Sequence, residues 1–349
     1  MTPKTLLHAG PIESRMNRRS FVCVLGAASV AASLGALAQP ASRIRTIGVL
    51  NVLPRETPLP QVFLRGLRDM GYIEGKNIIV EYRSGAYSDF PALADELVKL
   101  KVDVIYAVLE QAALAASKAT TTIPIVFAVI GDPERSGLVA SLAHPGGNVT
   151  GLTAFGSNLG GKRLELLKEL VPRLSRIGVV WNPAYSARMP DAAQMNIRPQ
   201  IGLEQTEEAG RALGIQVQSF PVQSPSDLSS VLEAAMREHI GALIVEEDSL
   251  IYSQRSRIID IAAAHELPAI YGYRDYVVSG GLISYGANLP ALMHRALVYI
   301  DKILKGAKPS NLPVEQPTKF ELIINAKTAK ALRLTIPQSL LLRADEVIE

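Results

Sequence analysis

Glu246, Glu247 and Asp248 stand in a row directly after the apolar run 242–245, whose make-up is that of a buried strand. Three carboxylates at a strand end suit a cation or a ligand ammonium. An acid there also caps a following helix, because the positive end of the helix dipole favours it. Gly156 to Lys162 matches the first seven positions of a phosphate-binding loop. Arg163 stands where the magnesium-binding hydroxyl would be, so the loop is not completed. The run 46–50 is followed by Asn51-Val52-Leu53-Pro54, not by a glycine fingerprint for a dinucleotide. No Gly-x-Ser-x-Gly elbow occurs. The histidines, at 8, 144, 239, 265 and 294, are nowhere within metal-ligand spacing. The sequence therefore predicts no catalytic residue, no metal site and no cofactor.

The elements that must position these groups follow a regular rhythm. Short apolar runs at 46–50, 78–82, 103–108 and 124–130 alternate with helical patterns, such as Leu59, Val62, Phe63, Leu67 and Met70. After a glycine-rich joint the rhythm restarts, with strands expected at 176–181, 215–220, 242–245, 268–271 and 282–285. A final amphipathic face runs Met293, Ala296, Leu297, Ile300 and Leu304. Such β-α-β alternation predicts parallel sheets covered on both faces. The fold class expected is α/β, with two doubly wound parallel-sheet lobes. In open sheets of this kind ligands sit beyond the C-terminal strand ends.

The 349 residues exceed one ordinary core, so two lobes are expected. The formal charge is +3, and four of the 36 basic residues but only one of the 33 acids fall within residues 1–38. The remainder is neutral, which argues against nucleic acid as a partner. Residues 1–38 read as a signal peptide. Arg18-Arg19-Ser20-Phe21 precedes a run rich in Ala, Gly and Ser that ends in Ala36-Leu37-Ala38, with cleavage expected before Gln39. The paired arginines give it a twin-arginine character, with Met16 as an alternative start, and place the mature chain in the periplasm. The single cysteine, Cys23, lies in this leader, so the body is expected to hold no disulfide.

Several segments are together recognisable: 71–77 (GYIEGKN), 137–152 (GLVASLAHPGGNVTGL), 162–172 (KRLELLKELVP), 280–286 (GGLISYG), 312–332 (LPVEQPTKFELIINAKTAKAL) and the closing RADEVIE. With them the chain resembles the tryptophan/tyrosine-type family of ABC transporter substrate-binding proteins from about residue 44 to the end. The resemblance implies a periplasmic binding protein type I fold, a three-strand hinge, a small-molecule ligand, and a monomer that serves an ABC permease with its ATPase. It places lobe I at 44–155 plus 283–318 and lobe II at 156–282 plus 319–349, with crossovers near 153–156, 281–284 and 317–320. A sensor docking on a membrane signalling protein is the alternative role, and an exported α/β enzyme a third.

The ligand candidates implied are strand ends. In lobe I these are Asn51, Glu110, Gln111 and Asp132, with Thr153 at the hinge. In lobe II they are Asn182, Glu247, Asp248, Tyr271 and Tyr285, the neighbouring Glu246 belonging to the same group. Each tyrosine serves either as a flat ligand wall or as strand-end packing. Family members carry small residues in the loop after the third strand, where this chain reads Val108-Leu109-Glu110-Gln111-Ala112. Facing inward, Glu110 favours an ammonium or a neutral ligand over a carboxylate; facing outward, it is an acid at a helix start.

Overall fold

A computed structural model describes residues 43–154, 159–183 and 201–349. The signal-peptide reading lies outside the described residues. No helix among the described residues is long and apolar enough to cross a membrane.

The first sheet contains β1 (Arg45–Asn51), β2 (Ile78–Ser84), β3 (Val104–Val108), β4 (Ile125–Ile130) and β5 (Val149–Thr153). All neighbours are parallel, in the order β2-β1-β3-β4-β5. The helices α1 (Pro58–Asp69), α2 (Phe90–Lys99) and α3 (Glu110–Ala119) join its first four strands. Along the inner strands side chains alternate between two apolar clusters. On β3, Val104, Tyr106 and Val108 enter one cluster, while Ile105 and Ala107 enter the other. Both faces are covered, so the strands read as unbroken apolar runs.

The second sheet repeats the design. After α4 (Leu159–Leu170) come β6 (Arg176–Trp181), α5 (Ile201–Leu213), β7 (Gln216–Pro221), α6 (Asp227–Arg237) and β8 (Ala242–Val245). Next come α7 (Ser249–Ser253), α8 (Arg255–Ala264), β9 (Ala269–Tyr271), α9 (Arg274–Val278) and β10 (Ile283–Ala287). The order β7-β6-β8-β9-β10 reproduces that of the first sheet. The sheet is extended by β11 (Phe320–Asn325), antiparallel to β10, and by β12 (Glu346–Ile348), parallel to β11. Between β10 and β11, α10 (Leu289–Leu304) packs back on β3, β4, β5 and α1 of the first lobe.

This pairing corrects one boundary. The expected second crossover near 281–284 would assign 283–287 to lobe I. Instead Ile283 and Ser284 pair with Ile270 and Tyr271, and the whole of β10 pairs with β11, so β10 belongs to the second sheet. The chain crosses at Asn288, whose Oδ1 accepts from the Ala291 N–H at 2.7 Å and caps α10. Near 315 a parallel bridge joins Leu152 and Glu315, just before β11 enters the second sheet.

Candidate functional site

At the C-terminal rim of the first sheet the backbone is unusual. Leu109, between β3 and α3, has φ 78° and ψ 159°, a region that L-residues rarely adopt. Val129 has φ 62°, where β4 bulges and its register to β5 shifts between Phe127 and Ile130. A β-branched residue at positive φ is an outlier, and the packing around it must hold it there. The two distortions are joined: the Leu109 N–H donates to the Ala128 carbonyl at 3.0 Å, and Ala154 N–H to the Ile130 carbonyl at 2.9 Å.

Two polar atoms at this rim are buried without a hydrogen-bond partner among the described residues: Thr153 Oγ1 and Gln111 Oε1. Thr153 is wholly buried at the end of β5, and its N–H donates to the Glu315 carbonyl at 2.9 Å. Gln111 lies in the first turn of α3, whose cap residue, Leu109, supplies no side-chain hydrogen bond. Glu110 is buried, 5 % exposed, so its reading as an outward solvent-facing acid is overturned. Asn51 is buried at the end of β1, and its Oδ1 accepts from the Leu53 N–H at 3.1 Å, fixing the turn after the strand. Asp132 accepts from the Arg135 N–H at 3.0 Å and organises the turn after β4. The structure gives Asn51 and Asp132 local turn-forming bonds and, among the described residues, leaves Thr153 Oγ1 and Gln111 Oε1 without a partner.

At the rim of the second sheet, Asn182 follows β6 and donates from Nδ2 to Asp248 Oδ1 at 3.0 Å. Asp248 also accepts from Leu250 N–H at 2.8 Å and Ile251 N–H at 3.3 Å, capping α7. Of the two roles read for it, helix capping is present in the structure.

The acids beside it are organised by a residue that sequence reasoning passed over. Arg163, in the second turn of α4, is wholly buried. Its Nη1 donates to Glu247 Oε2 at 2.8 Å, its Nη2 donates to Glu247 Oε1, and its Nε donates to the Tyr285 carbonyl at 2.9 Å. Burial alone disfavours a charged guanidinium, but Glu247 and then Glu246 outweigh it and raise the Arg163 pKa. Both Glu247 oxygens thus accept from the guanidinium fork. Glu246 keeps more freedom. Its Oε2 lies 3.7 Å from Arg163 Nη1, and its Oε1 is buried without a hydrogen-bond partner among the described residues. Burial, with a smaller contribution from Glu247 and against the pull of Arg163, pushes its carboxyl up to about 7.

The two tyrosines differ in their placement. Tyr271 is 1 % exposed, stacks on Tyr276 at 4.5 Å between ring centroids, and packs so closely against Gly281 that a Cβ there would meet its ring at 2.6 Å. It is a core residue, and its ring borders a depression of about 150 Å³ with Ala262, Leu267, Leu282 and Thr328, residues that precede β9 and β10 or follow β11. That depression lies away from the C-terminal strand ends. Tyr285 contributes its carbonyl to Arg163, while its half-buried ring tilts against Phe320 at 5.9 Å. Tyr273, which sequence reasoning did not single out, is buried at the rim beyond β9, with burial first and Glu247 second raising its pKa.

Comparison with known proteins follows this geometry. A family model described as ABC transporter substrate binding protein matches residues 59–348. The chain is 30% identical over 273 residues to a Tyrosine-binding protein of Clostridioides difficile, covering 77% of this chain and 75% of that protein. A crystal structure of a conserved domain protein from Vibrio cholerae superimposes with a TM-score of 0.76 at 28% identity, over 87% of this chain and 100% of that one. The complex of an ABC domain with L-Trp from Streptococcus pneumonia gives 0.75 at 27% identity, over 87% and 99%. The α/β architecture is that of the type I periplasmic binding proteins, and the chain belongs to the ABC transporter substrate-binding protein family.

Proposed function

We propose that this protein is an extracytoplasmic receptor of an ABC importer that captures a small amino-acid-like solute between its two lobes and passes it unaltered to a permease. One observation carries the reading: each rim keeps polar capacity that the protein itself does not use. Thr153 Oγ1 and Gln111 Oε1 on the first rim, and Glu246 Oε1 on the second, are buried without protein partners among the described residues. Buried polar atoms left unmade cost about 1–3 kcal/mol each, so their clustering at the strand ends fits a ligand that satisfies them. Gln111 Oε1 and Glu246 Oε1 are acceptors that suit a ligand's ammonium, and the Thr153 hydroxyl can donate to its carbonyl end. The L-Trp and tyrosine named for similar proteins have both ends, and an aromatic amino acid is the class favoured here.

Thermal unfolding of the purified chain against L-tryptophan, L-tyrosine, the other amino acids and simple amines tests the reading. A ligand present at 100 times its dissociation constant adds about 2.7 kcal/mol. An intact fold that no amino acid or amine stabilises overturns it.

A further inference from the structure

Two adjacent glutamates and one guanidinium meet at the end of β8, and the geometry treats the acids unequally. Glu247 receives both terminal nitrogens of Arg163, while Glu246 receives one contact of 3.7 Å. Space for this arrangement comes from glycines. A Cβ on Gly272 would collide with the Glu247 carboxylate, and one on Gly286 would collide with the Gly272 carbonyl and lie 3.5 Å from Arg163 Nη2. The Glu246 carboxyl in turn lies against the backbone of Gly202, where a Cβ would stand 2.6 Å from Oε2. The third Arg163 bond, to the Tyr285 carbonyl, ties α4 to β10. One fork thus joins α4, β8 and β10 at the two points where the chain enters and leaves the main body of the second lobe.

We propose that Arg163 is a positioning residue of the solute site, which divides the labour of the two acids: Glu247 is held as a structural partner, and Glu246 is left as the carboxyl presented at the rim. This rests on the receptor reading for the rim's purpose, but the division itself does not depend on any ligand. It also accounts for the glycine at 272, since a side chain there would displace the Glu247 carboxylate. The charged and titratable groups around Glu246 are Arg163 and Glu247, with Tyr273 and Asp248 beyond Glu247. A carboxyl near a cation is easier to ionise, and one near another carboxylate is harder. Arg163 and Glu247 must therefore act on Glu246 in opposite directions.

The test is a titration of the Glu246 side-chain carboxyl by carbon NMR, in the full chain without ligand, in wild type, Arg163→Met and Glu247→Gln. The midpoint is expected to rise by roughly one pH unit in Arg163→Met and to fall by roughly one in Glu247→Gln, where the neighbouring negative charge is gone and one fork nitrogen is released toward Glu246. Should Arg163→Met fail to fold, Glu247→Gln decides alone, because its amide keeps the shape and a hydrogen bond to the fork. A Glu246 midpoint that stays at its wild-type value in Glu247→Gln overturns the proposal and assigns Arg163 a purely structural role. Titration of L-tryptophan and L-tyrosine into the same variants separates the two readings. Opposite shifts with no binding to the wild type keep the division of labour and overturn the aromatic ligand class.

Discussion

Asn182 Nδ2 donates to Asp248 Oδ1 at 3.0 Å, joining the loop after β6 to the cap of α7 across the rim of the second sheet. The bond is buried, and its acceptor is shared with the Leu250 and Ile251 N–H groups. Asn182→Ala is expected to cost about 1.5–3 kcal/mol, a lost hydrogen bond to a charged group. Asp248→Ala is expected to cost more, because it removes a helix cap, worth about 1 kcal/mol, and strips the Asn182 amide of a partner. Urea unfolding of both single variants and the double variant gives their coupling. A coupling near zero would show that the contact does not hold the two loops together.

Thr153 separates stability from binding. Its hydroxyl oxygen is wholly buried and makes no hydrogen bond among the described residues. Thr153→Val removes that oxygen at nearly constant shape. Stability is expected to stay level or rise by up to about 1 kcal/mol, because an unsatisfied polar atom leaves the interior. If the hydroxyl serves the ligand, the same variant binds more weakly, by roughly tenfold for one neutral hydrogen bond. Calorimetric titration beside thermal unfolding reads both, and a Val variant that is destabilised but binds normally would place this residue outside the site.

Tyr271 has the opposite signature. Stacked on Tyr276 and wedged under Gly281, its ring works as packing. Truncation to Ala is expected to cost about 3–5 kcal/mol, as for other large buried rings. Tyr271→Phe, which keeps the stack, should leave ligand affinity unchanged within twofold. A large loss of affinity in the Phe variant would return this residue to the site.

Much of the architecture was readable because both sheets are buried on both faces, which turns strands into short apolar runs such as 104–108 and 125–130. β5 was harder to see. Its sequence, VTGLT, mixes two threonines with Gly151, whose Cβ position is occupied by Phe127, and only its hydrogen bonds to β4 make it a strand. The sheet to which β10 belongs is set by its pairing with β11, far along the chain, which is why the crossover implied by the resemblance fell several residues early. For the candidate site, strand ends pointed to Thr153 and Gln111, whose side-chain oxygens are buried without a partner among the described residues, and to Asn182, which bonds Asp248. A lone Arg163 on a helix gave no sign of burial, because arginine is ordinarily exposed, and neighbouring acids give no hint of which will be paired. The glycines after β9 and in β10 were the one available signal of a bulky group beneath them.

The raised Glu246 carboxyl predicts a pH dependence of definite sign. Its pKa is about 7 in the folded protein against an ordinary value of 4.5, so between those values the folded state holds the proton more tightly. Stability from this group is therefore fully present below about pH 4.5, declines as pH rises, and is lost above about 7, by at most roughly 3 kcal/mol. Carboxylates with lowered pKa values, such as Glu315 beside Arg295, act in the opposite sense, so the whole-protein profile mixes both. The difference between wild type and Glu246→Gln isolates the effect: the Gln variant should gain relative stability at pH 8 and lose that advantage by pH 5. Binding of an ammonium ligand runs the other way, because the ionised carboxylate is the better partner. Affinity should tighten up to tenfold per pH unit until about pH 7 and then level off. A profile flat from pH 5 to 8 in wild type, identical to that of Glu246→Gln, would remove Glu246 from contact with the ligand's amine.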